Sequence, residues 1–170
     1  MFHDEGMGAY LSKYIEENYH IPDNLTVVEG GTLGFSLMTY YQEYDKIIVV
    51  GTGSKEGAVG TIASENADEV MSHNSTVRKT ANEVEITMMI EICSFHEDMG
   101  EVQLITMVAE DIMEVKNGLT DEVLKHMPSL VDATLEELGN SGIVLERNGK
   151  DFSFDEVILF YANPKVANFT

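Results

Sequence analysis

The chain has 170 residues, 44% of them apolar, with 30 acidic against 10 basic side chains and a formal charge of −20. Such a length suits one domain that buries about 70% of its unfolded surface, and the apolar share argues against a disordered chain. The charge repels phosphate backbones, which argues against nucleic acid and anionic membrane and favours cations or a basic partner surface.

A solvated, self-repelling surface accounts for the same charge without any ligand. No apolar run approaches the ~20 residues needed to span a bilayer. Cys93 is the only cysteine, so no internal disulfide forms, which fits a reducing cytosol.

Met7, Tyr10, Leu11, Tyr14 and Ile15 recur at helical spacing and predict a helix over residues 6–19. Pro22-Asp23-Asn24 reads as a turn, and Leu25 to Val28 as a short strand ending at Glu29-Gly30-Gly31. Residues 34–43 read as a short helix. Ile47 to Val50 is a continuous apolar run, expected to be a central strand buried on both faces. Gly57 to Ser64 reads as another strand, followed by a helix from Asn66 to His73.

A helix over residues 82–96 turns Ile86, Met89, Ile90 and Cys93 inward, and Val102 to Val108 is a further buried strand. Thr120 caps a long helix with Val123, Leu124, Met127, Leu130, Val131, Thr134, Leu135 and Leu138 on its apolar face. Pro128 is expected to bend or restart that helix, and Gly139 and Gly142 to end it. Beyond it, Ile143 to Arg147, a turn at Asn148-Gly149 and Val157 to Ala162 suggest a hairpin.

Alternating strands and helices define an α/β fold, expected as a three-layer α/β/α sandwich around a twisted, mostly parallel sheet. The expected organisation is one domain over residues 1–145 and a C-terminal extension over residues 146–170.

Ligands of a parallel α/β sheet gather where strands end and loops enter helices. Asp4-Glu5-Gly6, Glu29-Gly30-Gly31-Thr32 and Gly51-Thr52-Gly53 all read as such ends. With D-E-G-x-G at Asp4–Gly8, G-G-T at Gly30–Thr32, T-A-N-E-V-E at Thr80–Glu85 and L-T-D-E-V at Leu119–Val123, the chain resembles the hydrogenase maturation endopeptidases. That resemblance covers residues 2–144. It implies a cytoplasmic partner, the large-subunit precursor of a nickel–iron hydrogenase, from which the family clips a C-terminal extension once nickel is installed.

The resemblance further implies that the substrate's nickel is held by a glutamate in the first loop, an aspartate after a strand and a histidine opening a later helix. Glu5 matches the first. Gly51 falls on the second and Asn82 on the third, where glycine has no ligating side chain and an amide is a poor ligand. Asp4, Gly30, Gly31 and Thr32 become candidate substrate contacts, and His3 and Glu83 candidate substitute ligands. No intrinsic cofactor is expected, since the nickel belongs to the substrate. The family's first central strand and a Gly-Asn pair would precede Phe2, so an upstream segment is expected to supply them, unless the fold has compensated.

A bland reading stands beside each of these. Glu5 suits the positive end of a helix dipole, Asp4 a helix cap, and Gly30 to Thr32 a tight turn. Gly51-Thr52-Gly53 lacks the spacing of a phosphate loop, the histidines have no H-E-x-x-H spacing, and no G-x-S-x-G surrounds any serine. Cys93 and the methionines at positions 88, 89, 99, 107, 113 and 127 read mostly as adaptable core. The resulting expectation is a protein that recognises the precursor, with proteolysis in question. Two alternatives remain: an active protease with a rearranged site, and a small-molecule-binding α/β domain using the glycine loops.

Overall fold

The computed structural model describes residues 3–31, 34–72, 81–94 and 99–162. A 3-10 turn, His3–Gly6, runs into α1 (Met7–Asn18), followed by β1 (Tyr19–His20). A second 3-10 turn, Gly34–Leu37, runs into α2 (Met38–Glu43), then come β2 (Lys46–Gly53), β3 (Ile62–Asn66), α3 (Ala67–Ser72) and α4 (Ala81–Ser94). β4 (Glu101–Val108), α5 (Asp121–Asn140), β5 (Glu146–Arg147) and α6 (Phe154–Ala162) complete the order. Contacts divide these into two compact units, Met1–Glu29 with Ala109–Thr170, and Gly30–Val108. The α/β class expected from the alternation stands.

In the first unit α1 buries Met7, Tyr10, Leu11 and Ile15, the stripe its spacing predicts, and packs against α5 and α6. Thr120 caps α5, its hydroxyl accepting from the Val123 N–H at 3.3 Å. Val123, Met127, Leu130, Val131, Thr134 and Leu138 form the buried face of α5. The helix does not restart at Pro128 but runs through it. Pro128 lies on the exposed side, where water can serve the carbonyl that loses its partner, and the buried face runs past it unbroken.

Gly139 stays inside α5, and the stop is Gly142, at φ 78°. Its N–H donates to Gly139 O at 2.9 Å, and the Ile143 N–H to Leu138 O at 2.9 Å, the paired bonds of a glycine helix terminus. The chain then returns to α1. β5 pairs antiparallel with β1, and the wholly buried Asn18 accepts from the Phe152 N–H at 2.7 Å while donating to Phe152 O at 3.1 Å.

The expected hairpin is corrected here, because Val157 to Ala162 belongs to α6 and only Glu146–Arg147 pairs as strand. Ser153 and Glu156 explain the helix: the Glu156 carboxylate accepts from the Ser153 N–H at 2.8 Å, and the Ser153 hydroxyl accepts from the Glu156 N–H at 3.3 Å. This reciprocal box starts a helix whatever the β-propensity of the apolar run behind it. Leu25 to Val28 is also corrected. It is assigned to no strand, and among the described residues no ladder pairs it; an extended run becomes a strand only where a neighbour accepts its hydrogen bonds.

The second unit is built on a sheet of order β2-β4-β3. β2 and β4 are parallel, from Lys46 opposite Glu101 to Gly53 opposite Val108, while β3 runs antiparallel to β4. β4 rather than β2 is therefore the central strand, buried from Leu104 to Met107, whereas Lys46 to Gly51 is only half-buried. β3 begins at Ile62, later than Gly57. Tyr41, Met89, Ile90, Cys93, Val102 and Leu104 form one apolar cluster, with Ile86 packed against it. Burial pushes the Tyr41 hydroxyl up to about 12, and the Cys93 thiol upward. Met89, Met107 and Met127 are core, but Met88 and Met113 are exposed. No helix among the described residues is long and apolar enough to cross a membrane.

Candidate functional site

The amino-terminal turn is organised by Asp4, whose side chain is completely buried. Asp4 Oδ2 accepts from the backbone N–H groups of Glu110 at 3.1 Å and Asp111 at 2.9 Å, and from the Thr120 hydroxyl at 3.0 Å. Asp4 Oδ1 accepts from the Thr120 N–H at 2.7 Å, and the Asp4 N–H donates to Asp111 O at 3.2 Å. This carboxylate does not cap its own helix, as the sequence suggested. Gly6 occupies that cap position, without a side-chain hydrogen bond. Asp4 instead ties the turn to the loop after Ala109 and to the start of α5.

Glu5 sits half-buried in the same turn, immediately before α1. His3 opens the turn at φ 23°, in the left-handed region that a histidine rarely adopts. The residue is only 5% exposed, and its Nδ1 has no hydrogen-bond partner among the described residues. A ring nitrogen of His3 and a carboxylate oxygen each of Asp111 and Glu114 lie within 4.8 Å of one another. The turn therefore brings His3 to two acids that the sequence reading did not single out. The available signal was A-E-D-x-x-E at Ala109–Glu114, acids lying just past the end of a buried strand.

The Asp111 carboxyl is held below its ordinary range by backbone N–H groups of Met113 and Glu114, with smaller help from His3 and Lys116. A cavity of about 430 Å³ adjoins the turn, lined among others by His3, Glu110, Lys116, Asp121 and Glu122.

Gly51 lies near the end of β2, paired with Thr106. A Cβ built at Gly51 meets nothing within 4 Å, whereas one at Gly53 would lie 2.5 Å from Thr106 Oγ1 and 2.7 Å from Thr106 Cβ. Gly53 is required by close approach; Gly51 is not. Gly51, Thr52 and Gly53 are rungs of a ladder, so they form no phosphate-cradling loop.

A Cβ at Gly30 would sit at an ordinary 3.6 Å from Leu37, and its φ is not left-handed. Neither crowding nor backbone conformation demands glycine there. Gly31 is exposed in a turn, and Thr32 lies outside the described residues. Asn82 and Glu83 fall in the first turn of α4, with side chains outside the described part of the structure.

The comparisons agree with this arrangement of elements. A family model described as hydrogenase maturation protease matches residues 9–137. The chain belongs to the hydrogenase maturation protease family. It is 25% identical over 142 residues to the hydrogenase expression/formation protein HoxM of Azotobacter vinelandii, covering 83% of this chain and 69% of that protein. With the hydrogenase 2 maturation protease of Escherichia coli it shares 23% over 141 residues, 82% of this chain and 85% of that one. The solved structure of the hydrogenase maturating endopeptidase HybD from Escherichia coli superposes with a TM-score of 0.76. There the identity is 21%, covering 88% of this chain and 93% of the other, which speaks for the fold.

Proposed function

We propose that this protein recognises the C-terminal region of a nickel–iron hydrogenase large-subunit precursor in the cytoplasm, as a checkpoint or accessory factor that does not cleave it. Glu5 meets the nickel of the substrate, and no resident ion at Glu5 is invoked. Family membership supports the partner, and Gly51 carries the loss of cleavage. Among the described residues no atom lies within 4 Å of a Cβ built at Gly51, and that open position supports the reading. With Gly51 and Asn82 supplying neither carboxylate nor imidazole, one oxygen ligand must do the work of a mixed set, and affinity for a first-row ion falls steeply. A weakly held nickel cannot be positioned to polarise the scissile carbonyl.

The rearranged-protease reading needs His3 or Glu83 to join Glu5. The His3 ring nitrogen is grouped with Asp111 and Glu114, which disfavours its recruitment. To test the proposal, nickel-loaded precursor and precursor lacking its C-terminal extension are each passed with this protein over a sizing column. Co-elution with the extended form alone, weakened by Glu5→Ala, is the expected result. Equal behaviour toward both forms would remove the C-terminal region as the recognised element.

A further inference from the structure

We propose that His3, Asp111 and Glu114 form a site for one divalent first-row transition cation, separate from Glu5 and from the substrate's nickel. A buried imidazole nitrogen lacking any partner is costly, by about 1–3 kcal/mol, and native structures seldom leave one. Among the described residues His3 Nδ1 is such an atom, on a residue only 5% exposed. The ring nevertheless sits beside two carboxylates, with ligand atoms within 4.8 Å of one another.

Ligands of a single zinc-sized ion at roughly 2.1 Å stand about 3.4 Å apart in tetrahedral geometry. The gap is thus closed by a small inward movement of the carboxylates. Glu114 is free to make it, since its side chain is 56% exposed and its neighbour Lys116 stands off at 3.9 Å. An exposed pair of that kind contributes little and is readily displaced. Asp111 uses Oδ1 for the N–H groups of Met113 and Glu114, at 2.8 Å and 3.1 Å. Those bonds fix its orientation and leave Oδ2 for an ion.

One imidazole and two carboxylates suit zinc, cobalt, nickel or manganese better than calcium, which prefers an all-oxygen shell. Glu110, Asp121 and Glu122 line the adjoining cavity and add attraction for a cation. Bound there, the ion would join the turn that carries Glu5 to the loop after Ala109, alongside the Asp4 bonds. Its role is to hold Glu5 in place, and it needs no part in any cleavage.

The experiment is calorimetric titration of the full chain with zinc, repeated with cobalt while its visible absorption is followed. One ion per chain is expected, with a metal-dependent rise in Tm. His3→Asn and, independently, the exposed Glu114→Gln each weaken binding by roughly tenfold or more, a loss that even outer-shell partners can cause. Glu5→Gln leaves binding within about threefold, and Lys116→Met tightens it by about threefold. The absence of saturable one-to-one binding below millimolar zinc overturns the site. So does binding that survives either ligand substitution or is abolished by Glu5→Gln.

Discussion

The amino-terminal turn and the end of β2 each fall where the family resemblance places a metal ligand, and their surroundings are opposite. The buried Asp4 carboxylate is engaged at both oxygens: it gathers two backbone N–H groups of the 110–111 loop and both donors of Thr120. Around Gly51 there is open space. In the first region Asp4 ties the turn to the loop after Ala109 and to the start of α5, with Glu5 beside it. In the second region a methyl at Gly51 would meet no atom among the described residues within 4 Å, so crowding does not demand glycine there.

The strongest way to break this comparison is Asp4→Ala. It strands buried backbone donors, and urea unfolding should show a loss of about 4 kcal/mol, with Asp4→Asn retaining part of it. A loss under about 1 kcal/mol would mean the turn does not depend on that carboxylate. Next comes the contrast within β2. Gly53→Ala drives a methyl into Thr106, and thermal unfolding should register roughly 2 kcal/mol of destabilisation.

Rebuilding the expected ligands is the third test. Gly51→Asp with Asn82→His, made in a His3→Asn background to silence the other proposed ion site, should tighten nickel or cadmium binding at least tenfold, about 1.4 kcal/mol. No gain by calorimetry would show that these two positions do not face a common ion with Glu5. The smallest effect is Gly51→Ala. With room for the methyl and less backbone freedom in the unfolded chain, stability should rise by about 0.5 kcal/mol. A clear loss would contradict the open space beside Gly51.

Periodicity made the helices legible. The stripes of α1, α4 and α5 lie where their apolar spacing put them, because burial of one face sets that spacing. Strands were less legible, since pairing is a property of two segments: Leu25 to Val28 has β-type residues but no ladder, and Ile47 to Val50, expected buried on both faces, is only half-buried at the edge of β2-β4-β3. The hairpin assigned to Val157–Ala162 failed for a different reason. The Ser153–Glu156 box is present in the sequence, and it outweighs the β-propensity of the apolar run after it. For the candidate site, the D-E-G motif marks the turn that the buried Asp4 carboxylate organises. The partners of Asp4 and His3 were hidden, because Asp111, Glu114 and Thr120 lie more than a hundred residues away and only the fold brings them near.

The most direct test of the central claim is intact-mass spectrometry of a nickel-loaded large-subunit precursor after incubation with this protein. The account predicts an unchanged precursor mass under conditions where the two co-elute. Loss of a C-terminal peptide, dependent on Glu5, would contradict it and make the protein a working protease.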